Sequence, residues 1–88
     1  GPALSSVAVY PNPVTDIITV KINSTTTEQF LITITDLAGR IVVEQKVVGV
    51  GRGIQLPIDL GKQTAQLLIL TVKNGKNELV ATQKLVKK

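Results

Sequence analysis

The chain has no cysteine and no histidine, and it also lacks methionine and tryptophan. Without Cys and His there is no thiolate or imidazole nucleophile, no histidine-based triad and no Cys/His zinc site. No disulfide can staple the fold either, so packing must hold it together. Aromatic residues make up only 2% of the chain, Tyr10 and Phe30 alone. That removes the stacking platforms on which sugars and single-stranded bases are held. No apolar run approaches the roughly 18 residues of a membrane-spanning helix, so no transmembrane segment is expected. No basic stretch followed by an apolar one opens the chain, so an export signal peptide would lie upstream. Gly1-Pro2 reads as the scar of a cleaved expression tag, which leaves residues 3–88 as one domain.

What is present is branched aliphatic. Hydrophobic residues are 43% of the chain and Val, Ile and Leu supply most of them, a composition suited to pleated, packed sheets. The net charge of +4 is scattered, with only Lys87 and Lys88 adjacent. A scattered excess favours solubility, and nucleic-acid binding is not expected without a basic face or a groove-entering helix. An 88-residue chain can bury one core and leaves little room for an enclosed substrate pocket.

The apolar pattern has period two, broken by turn residues at short intervals. Val7 and Val9 begin a strand that Tyr10-Pro11-Asn12-Pro13 ends, because two prolines remove two ladder donors. Thr15-Asp16 should turn the chain through side-chain bonds to nearby N–H groups. Ile18, Val20 and Ile22 share one face of a second strand. Ser24 to Glu28 is a polar loop, and Phe30, Ile32 and Ile34 line a third strand. Asp36-Leu37-Ala38-Gly39-Arg40 reads as a tight hairpin in which Gly39 supplies a positive φ.

Ile41 to Val48 is the fourth strand, and Gly49-Val50-Gly51-Arg52-Gly53 a flexible link. Ile54 to Leu60 alternates, but Pro57 assigns it to an edge. Leu67 to Val72 is almost continuously apolar, as for a strand buried on both faces. Asn74-Gly75 favours a two-residue type I′ turn, and Leu79 to Val86 is the last strand. No helical period and no internal repeat is evident. The expected fold is an all-β, seven-stranded antiparallel Ig-like β-sandwich, without the Cys and Trp core of true immunoglobulin domains.

Chemistry is thinly represented. Asp16, Glu28, Asp36, Glu44, Asp59 and Glu78 are the only carboxylates, and each falls at a turn, a strand end or an outward position. No catalytic residue, no metal ligand set and no cofactor site is assigned. Asp16 and Asp36 lack the run of alternating oxygen ligands that calcium needs. Asn23-Ser24-Thr25 matches the glycosylation acceptor pattern, which is short and common by chance.

Three blocks together resemble the type A C-terminal sorting domain of the type IX (Por) secretion system of Bacteroidota. They are Val9-Tyr10-Pro11-Asn12-Pro13-Val14-Thr15-Asp16, the hairpin Ile34-Thr35-Asp36-Leu37-Ala38-Gly39-Arg40-Ile41-Val42, and the ending Thr82-Gln83-Lys84-Leu85-Val86-Lys87-Lys88. The chain departs from that family at Gln66 and Leu68, where a glycine and a tyrosine usually open the penultimate strand. The resemblance implies an address label without chemistry of its own. It implies outer-membrane export machinery as partner and a sortase-like cysteine protease that removes the domain. Cargo would reach the cell surface or the medium through the periplasm. Lys84, Leu85, Val86, Lys87 and Lys88 become candidates for recognition, with a last strand whose edge stands open. Tyr10, Pro11, Asn12, Pro13, Asp16, Asp36, Gly39, Arg40 and Gly75 are assigned to architecture. A fibronectin-like spacer or adhesion module of a surface protein is the alternative, and the oligomeric state is left open.

Overall fold

Alternating side chains give each segment one face for the core and one for water. The structure, a computed structural model, describes residues 5–25, 27–50 and 53–88. Gly1-Pro2, Thr26 of the polar loop and Gly51-Arg52 of the glycine-rich link lie outside the described residues. Seven strands form: β1 (Ser5–Tyr10), β2 (Ile17–Ser24), β3 (Thr27–Thr35), β4 (Ile41–Val50), β5 (Ile54–Asp59), β6 (Leu67–Lys73) and β7 (Leu79–Val86). They build a three-stranded sheet, β1-β2-β5, and a four-stranded sheet, β4-β3-β6-β7. Every strand pair is antiparallel, and there is no helix among the described residues. This is the sandwich that the alternation predicts.

The facing stripes meet in one core. Ile18, Val20 and Ile22 from one sheet pack with Phe30, Ile32, Ile34, Leu68, Leu70 and Val72 from the other, all at 0–1% exposure. Each such side chain contributes about 1.5–3 kcal/mol of transfer free energy. Pro57 sits on edge strand β5, as expected, opposite Thr19. Two expectations need correcting. The polar loop is shorter than residues 24–28, because β2 runs through Ser24 and β3 starts at Thr27. Strand β6 is fully buried on one face only, since Leu67, Ile69 and Thr71 on its other face are half-buried.

A third correction concerns the repeat that the sequence hides. Hairpin β3–β4 and hairpin β6–β7 match position by position across residues 29–48 and 67–86. The register breaks at the same place in both: Ile34 pairs Val43 and Thr35 pairs Ile41, while Val72 pairs Ala81 and Lys73 pairs Leu79. Val42 and Val80 are thus the equivalent bulge residues. The two hairpins adjoin through β3 and β6, where Thr33 lies opposite its own counterpart Thr71. A local two-fold therefore passes through that pair, perpendicular to the sheet. Thr33/Thr71, Val42/Val80, Gln45/Gln83, Lys46/Lys84 and Val48/Val86 are identical between the halves.

The loops obey the same symmetry, which corrects the turn assigned to Asn74-Gly75. Asp36 N–H donates to the Arg40 carbonyl and Gly39 N–H to the Asp36 carbonyl; Asn74 with Glu78, and Asn77 with Asn74, repeat this. The left-handed residue is Gly39 in one loop (φ 87°) and Asn77 in the other (φ 64°). A five-residue loop spans residues 74–78, so the positive φ falls at Asn77 and not within a two-residue turn at Gly75. Asparagine tolerates that region better than other side chains do.

Candidate functional site

The site is built where a proline-rich corner meets the last strand. In an antiparallel pair, backbone groups point alternately toward and away from the neighbour. Lys87 N–H donates inward, to the Gln66 carbonyl (2.8 Å), so Lys84, Val86 and Lys88 turn their backbone groups outward. Left alone, these groups would form an open edge. The Asn12 side chain covers them. Its Nδ2 donates to the Lys84 carbonyl and its Oδ1 accepts from Val86 N–H, both at 3.0 Å. Val14 continues the cover: its N–H donates to the Val86 carbonyl, and its own carbonyl accepts from Lys88 N–H, each at 2.7 Å.

The expected free edge of the last strand is thus occupied from Lys84 onward. A short parallel bridge, Val14 to Lys87, replaces it. Pro11 and Pro13 flank Asn12, and the Tyr10-Pro11 and Asn12-Pro13 peptide bonds are both cis. Val14 itself is completely buried, as is Leu85. Leu85 therefore belongs to the core, while Lys84, Val86 and Lys88 are exposed. The Asp16 carbonyl accepts from Leu60 N–H (2.7 Å), which extends the β2–β5 pairing beyond Ile17 and Asp59 and takes the place of the side-chain bond expected of this residue.

The Asp36 hairpin lies at the same end of the sheet. Thr35 pairs Ile69, and two residues earlier in β6 Leu67 pairs Val86. Leu37, Ala65, Gln66 and Leu67 line a shared cleft of about 300 Å³. Asp36 is committed to its own loop: Oδ1 accepts from Ala38 N–H and Arg40 N–H, and Oδ2 from Arg40 Nε at 3.0 Å. The Arg40 N–H, with the guanidinium beside it, holds the Asp36 carboxyl below its usual range against a lesser opposing effect of burial. Arg40 remains 81% exposed on its outer side, whereas Asp36 is 12% exposed. Gly75 stands apart, on the loop at the opposite end.

Three blocks far apart in sequence therefore converge on one end: Pro11–Pro13, Asp36–Arg40 and Lys84–Lys88. Their exposed groups are the cations Arg40, Lys84 and Lys88 with the aliphatic side chains Leu37, Ile41 and Val86. Lys87 is half-buried beside them. An exposed surface of cations and aliphatics suits contact with another protein. Among the described residues no group of three or more Asp or Glu could hold a metal ion. The local sequence gave no sign of the Asn12 cap, since its partners lie 72 and 74 residues away.

Comparison with known proteins bears on the family and the fold. A family model described as "Secretion system C-terminal sorting domain" matches residues 8–88. Among solved structures, the crystal structure of dimeric latent PorU from Porphyromonas gingivalis is similar in fold, with a TM-score of 0.80 at 20% identity. That likeness covers 99% of this chain and 9% of the PorU chain. No curated protein sequence is similar enough to count as a match.

Proposed function

Because the chain belongs to the family of secretion-system C-terminal sorting domains, we propose that type IX export machinery reads it at the end of the sheet that carries Asn12, Arg40 and the terminal lysines. Membership itself makes the domain a C-terminal sorting signal for type IX secretion, with export to the cell surface or the extracellular space. It also decides against the fibronectin-like spacer considered from sequence alone.

The observation that carries the proposal is the convergence of the three family-like blocks on one surface. The Asn12 and Val14 bonds hold the backbone of Lys84 to Lys88 in one shape, so a partner meets a preorganised surface. Recognition then rests on side chains, chiefly Arg40, Lys84, Lys87 and Lys88, and on the exposed aliphatics between them. The domain acts as a label and performs no chemistry. A sortase-like protease removes it from the cargo on the far side of the membrane, and that protease is a second partner.

The test fuses residues 3–88 to a fluorescent periplasmic reporter in a host that has the machinery. Truncation is unsuitable, since removing Leu85 empties part of the core. Lys84→Ala, Lys87→Ala and Lys88→Ala combined leave the backbone and the core intact. The expected result is a native melting curve with the reporter retained in the periplasm. Export equal to that of the unaltered fusion overturns the proposed surface.

A further inference from the structure

The two edges of the four-stranded sheet are equivalent by the local two-fold, yet only one of them is capped. Strand β7 carries Asn12 and Val14 along its outer edge. Strand β4 pairs with β3 alone, and among the described residues no strand is hydrogen-bonded to its other side. An open edge is a template for another strand. Which strand it accepts is decided by what β4 itself presents.

By the symmetry of the registers, Glu44 and Lys46 occupy the places of Thr82 and Lys84. They turn their backbone groups outward, as Lys84 does, and both side chains are exposed. Between them stands Gln45. In an antiparallel pair of two such edges, outward residues must oppose outward residues, so the two-fold axis has to pass through a residue and not between two. Centring on Glu44 sets Glu44 against a second Glu44, and centring on Lys46 sets two lysines together. Centring on Gln45 sets Glu44 opposite the other copy's Lys46, and Lys46 opposite its Glu44. The same register places Val43 opposite Val47. Like charges directly opposed are destabilising and opposite ones stabilising, so one register stands out.

We propose that β4 is a self-complementary edge through which two copies of this chain associate. The pair forms about an axis at Gln45, in one continuous eight-stranded sheet running β7-β6-β3-β4 and then β4-β3-β6-β7 of the second copy. The capped edges lie at the two ends of that sheet, so the part of the proposed surface that carries Lys84, Lys87 and Lys88 stays uncovered on both copies. This inference is independent of what reads that surface. Strand β7 would not pair with itself in the same way, since Thr82 replaces the acidic partner and Asn12 occupies the edge.

The test is sedimentation velocity at low ionic strength, from about 10 μM to about 1 mM protein, a range that detects weak association. Four samples are compared: the native chain, Glu44→Lys, Lys46→Glu, and an equimolar mixture of the two variants. Both residues are exposed, so each variant should keep the native melting curve. The native chain should form dimers that weaken as salt is added. Either variant alone opposes like charges twice and should associate at least about tenfold more weakly. The mixture opposes two lysines with two glutamates, and dimers should return as heterodimers. A native chain that stays monomeric to about 1 mM overturns the proposal. So do single variants that dimerise like the native chain, or a mixture that fails to recover.

Discussion

Asn12 meets Lys84 across 72 residues of chain, and meets it as a strand would. One side-chain amide supplies the donor and the acceptor that a neighbouring backbone would offer to the outward carbonyl of Lys84 and the outward N–H of Val86. The prolines on either side cannot donate to the Lys84 carbonyl in its place, since neither has an N–H. A two-proline corner is thereby converted from a strand terminator into an edge cap.

Removing that amide should be visible at single residues. Asn12→Ala is expected to cost about 1 kcal/mol, the net value of exposed hydrogen bonds. Amide hydrogen exchange provides the sharper check. Val86 should exchange faster in the variant, whereas Lys87, bonded to Gln66 on the inner side, should keep its protection. Equal changes at both amides would mean that the corner acts on the whole strand.

The paired loops make a second expectation quantitative. A Cβ at Gly39 would meet nothing within 4 Å, so any cost there comes from φ alone. Gly39→Val should lower stability by about 1–2 kcal/mol, the left-handed penalty of an L-residue. Gly39→Asn should cost less, because Asn77 already holds the equivalent position. Asn77→Gly should be neutral or slightly stabilising. Thermal or urea melts of the three variants test the order, and a Val variant as stable as the Asn variant would contradict it.

Asp36 gives the pH dependence. Its carboxyl titrates below the unfolded value, chiefly through the Arg40 N–H. Its contribution is therefore complete above the ordinary aspartate pKa of about 3.9 and is lost as pH falls through the lower, folded value. Melting temperature should fall over that acidic range. In Asp36→Asn the part due to Asp36 should vanish while the loop survives, as Asn74 Oδ1 accepts the same pair of N–H bonds from Lys76 and Glu78. Melting curves recorded across that range for both proteins decide it.

The strands were legible because each buries a stripe of aliphatics at every second residue, and Phe30-Ile32-Ile34 or Ile18-Val20-Ile22 has no helical reading. Gly39 was legible too, since a glycine before Arg40 in a short loop has a local reason to be there. Asn74-Gly75 misled for the converse reason. Glycine marks the commonest tight hairpin, but here the Asn74 side chain fixes a longer loop and passes the left-handed turn to Asn77. The repeat escaped notice because its core positions exchange freely among Phe, Leu, Ile and Val, leaving only scattered identities such as Gln45-Lys46 and Gln83-Lys84. The Asn12 cap depends on the docking of one sheet against the other, which local pattern does not encode.

The local two-fold has one more consequence. Wherever the two hairpins differ, a position of one has already been substituted once, in the other, within the same molecule and under the same backbone geometry. Aspartate for asparagine at the loop start, glycine for asparagine at its bend, glutamate for threonine on the outer strand: these exchanges form a built-in tolerance survey. Grafting residues between the halves is thus the mildest route to redesigning either one.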